Sequence, residues 1–279
     1  MIKNLLIIQP IFAPDAVQAQ RNIDSINALG AYLKAHGTDG INLSITMGGW
    51  AKTDELWNKV IEAGKVHFGD KFNPTKFDKN YGKAFVVNNL YKNVVAQNHN
   101  IHALISMDSD ILFPIDLNHI FVRLSVASEK VVESKKMNWG IIGLNQKGAG
   151  CHFQTCYENQ MQYSISIRGQ TYEERMVWPT VSSGIAGGCL CINRELFDKV
   201  GGYRQFGVYA GDDAYLLYDC ARLGFSYQMS DSIHIIHPPE PDQKYAEWKV
   251  RTCQRDTSTG EKANIDSQIK EADNFWNSK

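Results

Sequence analysis

Apolar runs of strand length alternate with segments of helical period through the first part of this chain, and that alternation restricts the fold more than any other feature. Lys3–Ile8, Ile41–Met47 and Ile101–Met107 read as strands. Between the first two, Asp15–His36 carries Val17, Ile23, Ile26, Leu29 and Leu33 at helical spacing and stops near Gly37. Thr53–Ala63 is expected as a short helix, capped by Thr53 and stopped by Gly64, with Lys65–Phe68 a further short strand. Tyr81–Gln97 reads as a helix with Phe85, Leu90, Val94 and Val95 facing inward. Strand–helix alternation of this kind gives a doubly wound, mostly parallel sheet, whose ligands gather at the carboxyl ends of the strands.

The second half is looser. Pro114–Ser128 is expected as a helix, Trp139–Leu144 as a strand, and Gln146–Gly150 as a connection. Cys151–Gly169 has weak periodicity and suits a hairpin or a loop covering the site. Cys189–Ile192 reads as a strand, Arg194–Val200 as a helix stopped by Gly201-Gly202, and Asp212–Leu223 as a helix ended by Gly224. Two strands follow at Phe225–Met229 and Ser232–Ile236. From Glu240 the chain turns polar, with helices expected at Gln243–Cys253 and Ala263–Trp276. The simplest division is one domain over 1–239 and a helical extension over 240–279 packed on it.

Composition excludes several classes. A net charge of -1 over 279 residues supplies no global field for nucleic acid or anionic membrane, leaving only a local patch of Lys130, Lys135, Lys136 and Lys147. No apolar stretch approaches the ~20 residues of a transmembrane helix, and the opening MIKNLLIIQPIF reads as a core strand with no cleavage site. The six cysteines form no framework, which suits a reduced, cytoplasmic protein of the producing or host cell. Cys151, His152 and Cys156 lack a fourth partner and make a poor zinc site.

The candidate chemistry starts where the third strand ends. Asp108-Ser109-Asp110 places two carboxylates one residue apart, so both can aim at one point and hold Mg²⁺ or Mn²⁺; the same tripeptide also suits a plain turn. Asn80, Gly82 and Lys83 open a helix where backbone and charge can meet phosphate, without the spacing of a P-loop. Gly187-Gly188 at a strand entrance marks close backbone approach, to a ligand or to a packing corner. Asp212 and Asp213 stand at a helix N-terminus, where the dipole favours carboxylates whether or not one is a general base. His234 and His237 close a late strand, and an imidazole there can complete a metal site or simply pack.

Taken in order, these segments resemble the GT-A-fold, metal-dependent glycosyltransferases, particularly the large inverting family that uses nucleotide-diphosphate sugars. The resemblance runs from Lys3 to about Pro239: the Asn80-x-Gly82-Lys83 helix start, the DxD of Asp108 and Asp110, the GG…REL…VGGY block, the acidic pair before a helix ending in Arg-Leu-Gly-Phe, and the late histidine. It implies that Asp108 and Asp110 bind nucleotide and a Mn²⁺ or Mg²⁺ ion, and that His237, or else His234, is the third ligand. It implies Asp213 as catalytic base with Asp212 beside it, Gln9-Pro10 at the nucleobase, and Gly187-Gly188 near the donor sugar. The implied donor is a UDP-sugar; the acceptor is a glycan, a small molecule or a hydroxylated DNA base of the kind some bacteriophage enzymes modify. Three positions depart from the family pattern: Tyr215 replaces a second acid, Asp219 replaces an arginine, and TMGGW lacks the acid usual after the second strand. A sugar-1-phosphate nucleotidyltransferase would need a Gly-rich basic loop where QPIFAPDA stands, and a non-catalytic binding module would not need Asp108, Asp110, Asp213 and His237 together.

Overall fold

The computed structural model describes residues 1–70, 72–135, 137–148, 157–179, 187–205, 207–209, 212–258 and 265–278. In chain order its elements are β1 (Asn4–Ala13), α1 (Ala16–His36), β2 (Asn42–Ala51), α2 (Asp54–Phe68), β3 (Thr75–Lys76), α3 (Gly82–Gln97) and β4 (Ala103–Met107). There follow α4 (Ile120–Lys135), β5 (Trp139–Gly148), β6 (Tyr157–Ile167), β7 (Gln170–Pro179), β8 (Cys189–Asn193), α5 (Arg194–Val200) and α6 (Asp212–Arg222). β9 (Ser226–His237), α7 (Gln243–Ser258) and α8 (Ile265–Asn277) complete the chain.

The strands form one sheet in the order β3-β2-β1-β4-β8-β5-β9-β7-β6. β3, β2, β1 and β4 run parallel, β8 is reversed between β4 and β5, β5 and β9 run parallel again, and β7 is reversed beside β9. The result is the mixed α/β architecture with a large, mostly parallel sheet and C-terminal helices that the sequence pattern calls for.

β1 shows why its sequence is a continuous apolar run. Leu5 and Ile7 pack toward α1 and α2, while Leu6 and Ile8 pack on the opposite face toward α3, so neither face meets water. The β1–α1–β2–α2–β3 path stays on one face; α3 crosses to the other and delivers β4 to the far side of β1. The strand order therefore reverses between β1 and β4, which opens a crevice at their carboxyl ends.

Four expectations need correction. Gly64 does not stop a helix: α2 runs on to Phe68 and ends at Gly69, so 65–68 is helical. A β-carbon at Gly64 would lie 2.1 Å from the Phe72 ring, and this glycine is there to let the ring in. The segment after Pro114 is a series of turns, and α4 begins only at Ile120. His119 just before it takes the left-handed backbone, held by the Asp39 carboxylate on its Nδ1. The two late strands are one, β9, and β5 is longer than expected, running through Gly148.

β9 carries an irregularity in its pairing with β5. Leu144 pairs with Ser230 but Asn145 pairs with His234, so residues 231–233 bulge out of the ladder. Asp231 accepts from Asn145 Nδ2 (3.0 Å), and Ser230 Oγ accepts from Ile233 N (3.1 Å), pinning the bulge.

The expected hairpin or cover over 151–169 lies partly outside the described residues, as do Cys151, His152, Cys156 and Lys136; within them, β6 and β7 form a hairpin at the sheet's far end. Cys189, Cys191 and Cys220 are buried free thiols. Among the described residues no helix is long and apolar enough to cross a membrane. α7 and α8 pack back on the carboxyl end of β1 through rings: Tyr245 stacks on Phe12 at 6.1 Å and Trp276 meets it edge-on at 5.6 Å.

Candidate functional site

A cleft of about 370 Å³ opens at the carboxyl ends of β1 and β4. β4 ends at Met107, and the backbone N–H of Asp108 donates to Gly188 O (2.7 Å), which ties the aspartate segment to the entrance of β8. Asp108, Ser109 and Asp110 line the cleft floor. Each carboxylate meets its own cation: Lys83 Nζ lies 2.7 Å from Asp108 Oδ1, and the Arg21 guanidinium pairs with Asp110.

His237 joins them from the end of β9. Its Nε2 lies 3.3 Å from Asp110 Oδ1 and 4.0 Å from Asp108 Oδ2, while its Nδ1 is 3.0 Å from Gln146 Oε1 on β5. With Gln146 accepting from Nδ1–H, the ring presents its other nitrogen to the carboxylates. One ligand atom from each of Asp108, Asp110 and His237 lies within 4.8 Å of the others, the one such cluster among the described residues. Two carboxylates and an imidazole are a donor set that suits Mn²⁺ or Mg²⁺ and leaves positions for other oxygens.

The bulge decides which histidine takes part. Continued without it, the β5–β9 ladder would set His234 opposite Gly148; with it, His237 stands there. His234 lies three residues back, paired with Asn145, where burial and the neighbouring Lys147 lower its pKa.

The electrostatics favour ionised carboxylates. Burial pushes Asp108 up, but Lys83, Lys249 and His237 outweigh it and hold its carboxyl below the usual range. Burial likewise raises Asp110, and is outweighed by the hydrogen bond and charge of His237 and by Arg21. Glu240, also in the cleft, goes the other way: burial raises its pKa despite Arg21, and despite Gln18, whose amide donates to it at 2.8 Å.

The remaining expected residues fall at different depths. Lys83 also donates to Gly187 O (2.6 Å), and a β-carbon at Gly187 would lie 2.3 Å from Asp213 Oδ2, so the Asp213 carboxylate sits against this glycine and lines the cleft. A β-carbon at Gly188 would crowd Gln146 Oε1 at 2.6 Å. Asp212 begins α6, one residue before Asp213. Asn80 accepts from Gly82 N and donates to the Tyr209 hydroxyl, both at 3.2 Å. Gly82 has φ +82°, and a β-carbon there would strike Val208 O at 2.4 Å, so glycine is required for the two backbones to meet. Pro10 lines the cleft, whereas Gln9 is fully buried behind it, its amide donating to Ser25 Oγ at 2.9 Å.

Several residues with a part in the site gave no signal in the sequence. Arg21 belongs to α1, and besides Asp110 it donates to Pro238 O (3.0 Å) and Pro239 O (2.7 Å), tethering the segment that carries His237. Phe12, Trp50, Tyr209, Tyr245 and Lys249 line the opposite end of the cleft. The departures noted in α6 have structural uses: Asp219 is buried and pairs with Arg204 and Arg222, and Tyr215 lies under the Arg204 guanidinium.

No family model and no curated protein matches the chain. Among solved structures, the mannosyltransferase PcManGT from Pyrobaculum calidifontis, in complex with GDP-Man and Mn²⁺, is similar in fold, with a TM-score of 0.55 and 16% identity. The match covers 90% of this chain and 61% of that one, so this chain spans less than two thirds of the protein it matches.

Proposed function

We propose that the chain is a metal-dependent glycosyltransferase, which moves a sugar from a nucleoside-diphosphate donor to an acceptor hydroxyl. The observation that carries the reading is the convergence of Asp108, Asp110 and His237 in a cleft that a further carboxylate, Asp213, also lines. The fold shared with a protein in complex with GDP-Man and Mn²⁺ supports it. Residues 1–239 form the transferase domain in this reading, and 240–279 an extension that completes the cleft.

Asp108, Asp110 and His237 hold the divalent cation, Mn²⁺ or Mg²⁺. When bound, the cation supplies Lewis-acid stabilisation to the departing diphosphate. Arg21 and Gln146 keep the ligands aimed, and Lys83 stands beside Asp108 ready to face a phosphate oxygen. Asp213, with Asp212 at the same helix start, takes the acceptor proton. Gly187 and Gly188 leave room for the sugar between these groups, Asn80 and Gly82 form the wall below Tyr209, and Pro10 borders the nucleobase, with Gln9 behind it. The donor is a UDP-sugar or a GDP-sugar, and the acceptor a glycan, a small molecule or a modified DNA base.

Calorimetry of UDP and GDP, with Mn²⁺ and with EDTA, tests the reading. The wild type should bind one of them only with metal, and Asp110→Ala should weaken that binding by about a hundredfold or more. Asp213→Asn should bind as the wild type does, yet release nucleotide from the matching sugar donor some 10²–10⁴ times more slowly. A wild type that binds neither nucleotide, or an Asp110→Ala protein that binds undiminished, sinks the assignment.

A further inference from the structure

The cleft is not closed by the α/β core alone. α7 presents Tyr245, Lys249 and Cys253 to it, residues spaced four apart that stack along one face of a helix. Tyr245 is buried among rings, so this face is fixed in place and Lys249 is carried with it. The Lys249 charge reaches Asp108 on the cleft floor, Glu240 at its edge and the Tyr209 hydroxyl on the aromatic wall. It forms no ion pair among the described residues, whereas Lys83 is committed to Asp108 and Arg21 to Asp110.

The cleft is lined by four carboxylates (Asp108, Asp110, Asp213, Glu240) and three lysines (Lys79, Lys83, Lys249), with Arg21 behind Asp110, which sums to about zero. A divalent cation adds two positive charges, and the diphosphate of a sugar donor brings two negative ones. With Arg21 paired to Asp110 and Lys83 to Asp108 in the metal-free fold, Lys249 is the further lysine of the cleft whose charge reaches the metal-facing Asp108, and it can serve the phosphates alongside the metal and Lys83.

We infer that Lys249 is a phosphate-binding residue, supplied by the C-terminal extension, that selects nucleoside diphosphates over monophosphates. This rests on the transferase reading above. Because Lys249 is exposed on the helix, its replacement leaves the core intact.

The test is calorimetry of the full chain with Mn²⁺, using UDP, GDP and the corresponding monophosphates at two salt concentrations. Lys249→Gln should lose about tenfold in diphosphate affinity and change monophosphate affinity less than about twofold, with a shallower salt dependence. Lys249→Arg should restore most of the loss. Equal losses for both nucleotides, or none for either, overturn the inference while leaving the transferase reading standing. A wild type that binds no diphosphate at all removes both.

Discussion

At the carboxylate end of the cleft the metal-facing groups are held by ion pairs and hydrogen bonds: Asp108 by Lys83, Asp110 by Arg21, His237 by the Gln146 amide and the two aspartates. At the other end position is set by rings, and the one cation named there, Lys249, makes no ion pair among the described residues. Phe12 from β1 meets Tyr245 and Trp276, Tyr245 lies 4.7 Å from Trp276, and Trp248 stacks on Phe275 at 4.7 Å. The first end is built on strand termini inside one sheet. The second is assembled from β1, β2, the segment around Tyr209 and two helices from the end of the chain. Charged groups fix directions and can hold a cation without moving, whereas ring packing fixes a shape and contributes most of its energy to stability. Damage to the two ends should therefore appear in different measurements.

The largest effect expected is on stability, at the aromatic end. Trp276 is 2% exposed, and its backbone carbonyl also accepts from Lys52 Nζ (2.8 Å) at the end of β2. Trp276→Ala should cost about 3–5 kcal/mol in denaturant unfolding, through lost burial and the cavity left beside Phe12 and Tyr245. The hundredfold loss expected for Asp110→Ala is a binding effect, and its cost to the fold should be smaller. If Trp276→Ala unfolds as the wild type does but binds no nucleotide, the division of labour between the two ends is wrong.

The two ends also differ in how far they can be read from the sequence alone. Asp108 and Asp110 are visible because a buried strand runs straight into two carboxylates, a local pattern. His237 is visible only as one of two candidates: the three-residue bulge that selects it over His234 depends on pairing with β5, about ninety residues earlier. The aromatic end is illegible for the same reason carried further, since the contact of Phe12 with Trp276 joins the two extremities of the chain and each helix alone shows only an apolar stripe. Gly64 shows a different failure. A glycine late in a helix reads as a terminator, and only the Phe72 ring lying against it reveals a packing role. Arg21 offered nothing, because an arginine within a helix is ordinary until the carboxylate opposite it is known.

The smallest effects, and the sharpest in sign, come from acid titration of the metal-free protein. Asp110 has its pKa lowered from 3.8, so its ionised form is favoured in the fold; that contribution is present at neutral pH and is lost as pH falls below 3.8 through the folded value. Glu240 has its pKa raised from 4.5, chiefly by burial, so ionising it works against the fold; this cost is absent below 4.5 and sets in as pH rises through the folded value. In EDTA, Asp110→Asn should therefore melt below the wild type at pH 7, with the gap closing in acid. Glu240→Gln should melt slightly above it at pH 7, and that gap should close as pH is brought down to 4.5. Two carboxylates within reach of the same guanidinium would then carry opposite signs: Arg21 pairs directly with Asp110 but stands 4.0 Å from Glu240, too far to offset its burial. Equal signs for the two variants would mean that Arg21 is shared evenly and that the charged end of the cleft is less firmly fixed than its contacts imply.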